Sequence, residues 1–335
     1  MYFGNKLSKH SRPLSSLESM EPLLKTIAEV KSCSSIQNPI FRMLDMVFHF
    51  FKNIKKSDLI LIDVYSTLNF YYAFTISCLS ILFSKKYVLL LHGGNLPSRF
   101  QSSPTKTTYI LKNAYKICAP SVYLQSYFIE KGFHVLLLPN CIDDTQFPFL
   151  NRNKIKPNLL YIRGFGSLYN PLMAIKTLQL LLNNFPEATL TMYGNQTGVG
   201  MQKIEQYIYL NQLNKRVTII NATDRKTWVS DSIKFDIMLS CPMIDNTPLS
   251  ILEGMSLGLA IVSTNVGGIP FLLEHKKNAL LVNSDDEIAM SKSVEQLVLN
   301  QEETIEIIKN AKQNVEKYYW TAVKPIWEKL FSLAS

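Results

Sequence analysis

The stretch DNTPLSILEGMSLGLAIVSTNVGGIP, residues 245–270, carries the pattern that decides the fold. It predicts a polar loop, an apolar helix over about 249–257, a short strand, and a turn at a glycine pair. Thr247 suits the N-cap and Pro248 the first helical position, so the start of the helix is sharply specified. Backbone N–H groups at such a start favour an anionic ligand.

Short apolar segments alternate with helical segments on both sides of this stretch. The predicted strands are 59–64, 87–94, 116–121, 135–140, 158–164, 188–194, 216–220, 235–240 and 278–282. Such alternation indicates parallel sheets covered by helices on both faces. We therefore predict an α/β protein with two doubly wound, Rossmann-like domains. Its ligands are expected at the carboxyl ends of the strands, in a central cleft between the domains.

The length and composition of the chain fit two domains. It has 335 residues, 47% of them hydrophobic, which is enough for two cores. The polar segment 143–157 is interpreted as a linker, so we predict an N-terminal acceptor-side domain at 1–150 and a donor domain at 151–318. The remaining segment, 319–335, is expected to pack back onto the first domain.

Positive charge is concentrated in the first half of the chain. Residues 1–150 hold 16 Lys and Arg against 9 Asp and Glu, whereas the remainder holds 19 against 17. A basic surface of this kind favours an anionic partner such as a membrane surface, a phosphorylated acceptor or nucleic acid. The simpler alternative is a solvated basic surface without a partner.

Cysteine usage and hydropathy bear on the location of the protein. The five cysteines are odd in number and form no CxxC pair, which favours a reducing compartment over a disulfide framework or a zinc site. The first ten residues lack the apolar core of a signal peptide. Residues 68–83 are nearly uncharged but shorter than the roughly 20 residues of a membrane span. We interpret them as a buried or membrane-leaning helix, with a transmembrane helix as the alternative.

Two acidic residues within the opening stretch carry a family resemblance. Asp245 and Glu253 stand eight positions apart, and EGMSLGLAIVSTNVGGIP runs on from the second acid. This pattern resembles the Glu-x7-Glu signature of the family 4 retaining glycosyltransferases, which have the GT-B fold and contain the glycosyl transferases group 1 domain. The first acid is Asp instead of the usual Glu. The resemblance covers the C-terminal half, and LHGGN at 91–95 extends it to the first half.

The resemblance implies a function and roles for individual residues. The protein would be a retaining transferase that moves a hexose-type sugar from a UDP- or GDP-sugar to a glycan or lipid-linked acceptor, in the synthesis of cell-surface polysaccharide or glycoconjugate. Glu253 would hold the ribose hydroxyls, Asp245 the hydroxyls of the transferred sugar, and Arg163 the diphosphate. His92 would lie near the transferred sugar. The other implied donor-binding positions are Gly4, Gly194, Asn246, Thr247, Pro248, Leu249 and Ser250.

Charge develops on the diphosphate as it leaves, and a positioned cation stabilises it. Arg163 and the helix start supply that charge without a metal, and no DxD motif is present. The pairs 143–144 and 285–286 are interpreted as linker and helix-cap residues. Where the family usually has Lys-Gly, this chain has Tyr169-Asn170, so one cation is missing. We expect no cofactor, no metal and no nucleic-acid partner in a cytoplasmic protein that can associate with the inner face of the cell membrane.

Simpler interpretations and other functions remain open at this point. Glu253 could be the capping-box partner of Ser250, while Asp245, Arg163 and His92 could be ordinary structural residues. The protein could bind nucleotide sugars without turnover. A nicotinamide-dependent dehydrogenase is a further alternative, but RGFGSLYN and YGNQTGVG each lack one glycine of the G-x-G-x-x-G motif.

Overall fold

The computed structural model describes residues 1–8, 15–194, 199–221 and 225–333. In this part of the chain, two compact units each hold a six-stranded parallel sheet. The first unit comprises Met1–Cys141, Asp245–Thr247 and Trp320–Ser335, and the second comprises Ile142–Ile244 and Pro248–Tyr319. The predicted α/β architecture of two doubly wound parallel sheets is confirmed.

The first unit has the strand order β2-β1-β3-β4-β5-β6. Strands β3 and β4 are buried at every position, as expected for a parallel sheet covered on both faces. The strands are β1 (Tyr2–Phe3), β2 (Ser32–Cys33), β3 (Ile60–Val64), β4 (Tyr87–Leu91), β5 (Lys116–Ala119) and β6 (Val135–Leu137). The helices are α1 (Ser16–Leu24), α2 (Pro39–Asn53), α3 (Phe70–Leu82), α4 (Leu96–Ser102), α5 (Pro104–Lys112) and α6 (Val122–Glu130).

The nearly uncharged segment 68–83 forms α3, which packs against the sheet. Phe70, Ala73 and Ile76 are fully buried in the core of the first unit. The helix has 13 residues. Among the described residues, no helix combines the length and the apolar character that a bilayer crossing requires.

The second unit has the strand order β12-β11-β10-β7-β8-β9. Its strands are β7 (Asn158–Ile162), β8 (Thr189–Gly194), β9 (Val217–Asn221), β10 (Ile237–Ser240), β11 (Ala260–Thr264) and β12 (Leu280–Val282). Its helices are α7 (Pro171–Leu181), α8 (Val199–Leu210), α9 (Arg225–Asp231), α10 (Leu249–Ser256), α11 (Ile269–Leu272), α12 (Glu287–Leu299) and α13 (Gln301–Val315). Asp286 caps α12 as predicted, since its carboxylate accepts from the backbone N–H of Ala289.

The segment interpreted as a linker, 143–157, is packed within the second unit instead. Phe147 and Ile155 are buried, and the Arg152 guanidinium donates to the backbone oxygens of Phe235 and Leu257. One of the polar residues that suggested a linker is Arg152, and its buried guanidinium is hydrogen-bonded to these backbone carbonyl groups. The compact units divide after Cys141, whereas the sequence placed the domain boundary at residue 150.

The last helix, α14 (Trp320–Ser332), groups with the first unit. Val323, Trp327 and Leu330 are buried in one apolar cluster with Tyr2 and Leu90. The C-terminal end of the chain therefore completes a core that begins at the first strand.

Candidate functional site

Glu253 is a buried acid paired with an arginine in the second unit. It lies on α10, is 4% exposed, and has Oε1 2.6 Å from Nη2 of Arg225. Burial raises the pKa of Glu253, and the charges of Arg225 and Arg163 act in the opposite direction. A buried carboxylate is stable only when such partners compensate its desolvation. The capping-box interpretation is wrong, because Pro248 is the N-cap and the carboxylate faces Arg225.

Arg225 is a functional candidate that the sequence analysis missed. It is the first residue of α9, and its guanidinium lies 5.6 Å from the centre of the Phe147 ring. The sequence predicts a cap for this helix at Thr223 or Asp224, and both residues lie outside the described part of the chain. The sequence signal for Arg225 was its place at the carboxyl end of β9, where the parallel-sheet rule puts ligand contacts.

Arg163 follows β7, at the same end of the sheet. Its backbone N–H donates to the oxygen of Tyr193, and its guanidinium lies 4.9 Å from the centre of the Tyr169 ring. Its charge opposes the effect of burial on the pKa of Glu253. The second unit thus places two arginines around one buried acid, although the Lys-Gly pair of the family is missing.

Gly194 is the last residue of β8, and it pairs with Asn221 of β9. A Cβ atom at this position would lie 2.4 Å from the backbone oxygen of Arg163 and 2.8 Å from the Phe165 ring. Glycine is required here because the segment after β7 passes directly over it. Gly194 therefore allows Arg163 to occupy its position.

The start of α10 differs from the prediction. The helix begins at Leu249, with the backbone of Pro248 at the N-cap and no side-chain cap. Thr247 does not cap the helix, because its hydroxyl donates to the backbone oxygen of Pro120, 3.2 Å away. Ser250 lies within the first turn and is buried. The Thr247 hydroxyl, which the local sequence pattern assigned to the helix cap, is thus engaged by a residue distant in sequence.

Residues 245–247 are packed into the first unit. The Ser121 hydroxyl donates to Oδ1 of Asn246, and Asn140 Nδ2 donates to the backbone oxygen of Thr247 over 3.1 Å. Nδ2 of Asn246 is buried and has no hydrogen-bond acceptor among the described residues. This short loop is therefore held on the turn between β5 and α6.

Asp245 lies against Gly94 of the LHGGN segment. Its Oδ1 accepts from the backbone N–H of Asn246 over 2.8 Å. A Cβ atom on Gly94 would lie 3.1 Å from the carbonyl carbon of Asp245. The structure thus brings the first acid of the motif next to the turn that carries His92.

His92 belongs to a buried polar cluster centred on Asp63 of β3. Nε2 of His92 lies 3.1 Å from Oδ1 of Asp63, at ion-pair distance but without hydrogen-bond alignment. The same carboxylate accepts from the hydroxyls of Tyr2 (2.9 Å) and Tyr65 (2.8 Å). Burial and the charge of Asp63 raise the pKa of both phenols. The sequence analysis missed Asp63, whose signal was a single acid within the apolar strand LILIDV.

Gly4 provides the space for this cluster. A Cβ atom at Gly4 would lie 2.5 Å from Oδ2 of Asp63 and 2.9 Å from Cδ1 of Leu17.

The predicted site residues fall into two groups. In the first unit lie Gly4, His92, Asp245, Asn246 and Thr247, and in the second lie Arg163, Gly194, Pro248, Leu249, Ser250 and Glu253. Within the described part of the chain, no three His, Cys, Asp or Glu side chains are grouped as a metal site.

Two solved structures share this architecture. One is Anabaena Alr3699/HepE in complex with UDP and glucose, with a TM-score of 0.76 and 17% identity over 99% of both chains. The other is a sucrose-phosphate synthase from Thermosynechococcus elongatus, with a TM-score of 0.74 and 17% identity over 92% of this chain and 82% of that one. At such low identity these likenesses establish the GT-B fold alone.

Curated relatives match over part of their length. A GalNAc-alpha-(1->4)-GalNAc-alpha-(1->3)-diNAcBac-PP-undecaprenol alpha-1,4-N-acetyl-D-galactosaminyltransferase of Campylobacter jejuni is 25% identical over 59% of this chain and 54% of its own. One subunit of the human phosphatidylinositol N-acetylglucosaminyltransferase is 24% identical over 60% and 41%, respectively. The chain thus spans about half the length of these relatives. The glycosyl transferases group 1 model matches residues 143–314, half of the chain, and the protein therefore belongs to this family.

Proposed function

We propose that this protein is a retaining glycosyltransferase that moves a hexose-type sugar from a UDP- or GDP-sugar to a glycan or lipid-linked acceptor. The observation that carries the proposal is the buried carboxylate of Glu253 beside Arg225 and Arg163, at the acidic position of the family motif. The Campylobacter and human relatives are named for acceptors built on undecaprenol and phosphatidylinositol, which supports a lipid-linked acceptor.

In this proposal the second unit binds the nucleotide. A carboxylate accepts two hydrogen bonds from the ribose hydroxyls, and the charges of Arg225 and Arg163 favour the ionised form of Glu253 against the effect of burial on its pKa. Arg163 stabilises the negative charge on the leaving diphosphate. One well-placed donor of this kind contributes about 2.7–4 kcal/mol to transition-state stabilisation.

We propose that His92 and Asp245 contact the transferred sugar. The imidazole of His92, which lies beside Asp63, contacts one of the sugar hydroxyls. Asp245 accepts from a second hydroxyl of the same sugar. We propose front-face substitution, in which the diphosphate oxygen takes the proton of the acceptor hydroxyl, without a metal ion. Activity is therefore expected to persist in the presence of a chelator.

The test compares Glu253→Gln with the wild-type protein. Calorimetric titration with UDP and GDP should show at least about tenfold weaker binding for the variant, because an amide accepts fewer hydrogen bonds than a carboxylate. Glu205→Gln, at an exposed position on α8, is the matched control and should bind as the wild type does. If Glu253→Gln binds UDP and GDP as tightly as wild type does, Glu253 does not hold the ribose hydroxyls.

Turnover separates the transferase from the alternative of a nucleotide-sugar-binding protein that has lost catalysis. A panel of UDP- and GDP-sugars is first screened for a rise in melting temperature, because a ligand of the native state stabilises it. Sugar transfer or slow hydrolysis is then measured with each donor that binds. Binding without any release of nucleoside diphosphate from any donor would favour the non-catalytic alternative.

A further inference from the structure

Helix α2 carries large apolar side chains on two opposite sides. Met46 and Phe50 face the core of the first unit and are fully buried. The opposite side follows the spacing of one helix face and consists of apolar residues that are 49% to 72% exposed. These are Ile40, Phe41, Leu44, Phe48 and Phe51.

The end of α3 extends this apolar surface. Leu82 and Phe83 are exposed there, and the ring centres of Phe51 and Phe83 are 5.5 Å apart. We call the seven exposed residues on α2 and at the end of α3 the α2 patch. A contiguous group of large exposed apolar side chains is uncommon on a protein without an interaction partner.

Basic side chains border the α2 patch. The ammonium group of Lys52 lies 5.8 Å from the centre of the Phe48 ring, and Lys55 and Lys56 are exposed in the turn that ends α2. Lys85 donates to the backbone oxygen of Ser57, which fixes the turn after α3 beside them. Segments 39–58 and 82–86 contain five lysines and one arginine against two aspartates, Asp45 and Asp58.

We propose that the α2 patch docks onto an anionic lipid bilayer. A helix that lies in the membrane interface has an apolar face of Phe and Leu and lysines beside it, which is the composition found here. The lysines attract anionic headgroups while the apolar side chains enter the acyl boundary. A second copy of this chain in a symmetric contact would present the same excess of lysine over aspartate, so charge complementarity favours lipid.

Vesicle flotation tests the proposal with the full chain. Wild type should bind vesicles of phosphatidylcholine and phosphatidylglycerol at low salt, bind less as salt increases, and bind weakly to phosphatidylcholine alone. The double variant Leu44→Gln/Phe48→Gln should reduce the partition coefficient by about tenfold or more. The triple variant Lys52→Gln/Lys55→Gln/Lys56→Gln should reduce it by about fivefold for each lysine.

Matched controls come from α8 of the second unit. Leu210→Gln and Lys203→Gln replace exposed residues of the same types and should bind vesicles as wild type does. Calorimetry with UDP and GDP should give wild-type affinities for all of these variants. That measurement separates a failure of vesicle binding from a failure of the proposed donor site.

A tryptophan probe reports whether the apolar side chains enter the bilayer. Phe48→Trp should be quenched by lipids brominated on their acyl chains, whereas Tyr209→Trp, at a position 74% exposed on α8, should show only the wild-type background. If the fluorescence of vesicle-bound Phe48→Trp shows no more quenching than that background, the protein adsorbs by charge alone and the proposal is overturned.

Two further results would also overturn it. One is an absence of vesicle binding by the wild type at low salt, or equal binding by Leu44→Gln/Phe48→Gln. The other is a wild-type dimer in sedimentation velocity that this double variant converts to a monomer without any effect on vesicle binding. That result would identify the α2 patch as an interface between copies of this chain.

Discussion

At the scale of single residues, Asp63 organises the polar cluster of the first unit. Two tyrosine hydroxyls donate to its carboxylate, and the imidazole of His92 lies beside it. Removing a carboxylate from water costs several kcal/mol unless its oxygens have such partners. The two phenols offset part of this cost and hold the side chain of Asp63 next to His92. We infer that Asp63 is a positioning residue for this histidine.

Asp63→Asn tests this role. The expected result is a fall in kcat of about tenfold or more with little change in the KM for the donor, since the amide no longer fixes the imidazole. The same substitution in a His92→Gln background should have almost no further effect, because the two residues act as one unit. Tyr65→Phe is the control that removes one hydrogen bond from the other carboxylate oxygen. Equal losses from Asp63→Asn in both backgrounds would contradict a role exerted through His92.

How far the site could be predicted depends on whether a residue stands in a local motif. Glu253 was identified by its spacing from Asp245, and His92 by its glycine turn. Arg225 and Asp63 stand in no motif. Their importance comes from contacts with Glu253 and His92, which lie 28 and 29 positions away in the sequence. Such pairings are created by the order of strands in a sheet and leave no pattern in a single sequence.

At the scale of elements, the ends of β7 and β8 control the position of Arg163. Gly194→Ala should destabilise the protein by about 1–3 kcal/mol, because the added methyl group overlaps the backbone oxygen of Arg163. Chemical denaturation measures this loss, and nucleoside diphosphate affinity should fall with it.

Gly166→Ala is the matched control for this substitution. Gly166 lies in the same segment with a φ of −70°, and a Cβ atom there would have no neighbour within 4 Å. Alanine should therefore be neutral or slightly stabilising at this position. Equal stability of Gly194→Ala and Gly166→Ala would show that the predicted overlap is relieved without cost.

The elements that could be predicted from the sequence are those in which buried positions are apolar and the positions around them are polar. Buried strands such as β3 and β4 stand out as apolar runs between polar turns. Helix α2 was missed: its apolar residues recur at helical spacing, but they lie on the exposed side, and its buried side includes the polar residues Arg42 and Asn53. The N-cap at Thr247 was wrong because Pro120, more than a hundred positions earlier, accepts from the hydroxyl.

At the scale of the whole molecule, the two units have separate cores, and the chain end belongs to the first. Trp327→Ala should cost about 3–5 kcal/mol by emptying a buried site among Tyr2 and Leu90. In calorimetry this should lower the unfolding transition of the first unit only. Trp228→Ala, in the core of the second unit, should lower the other transition. Equal shifts of both transitions in either variant would mean that the units unfold as one.

The path of the chain through residues 245–247 constrains how the second unit of this protein can be exchanged. The peptide leaves the second unit for three residues and returns to it at Pro248, so the two acids of the motif are divided between the units. A chimera that exchanges the second unit as one continuous block would import a foreign tripeptide onto Ser121 and Asn140. Exchange of the second unit between relatives therefore requires keeping residues 245–247 with the first unit, or transferring Ser121 and Asn140 along with them.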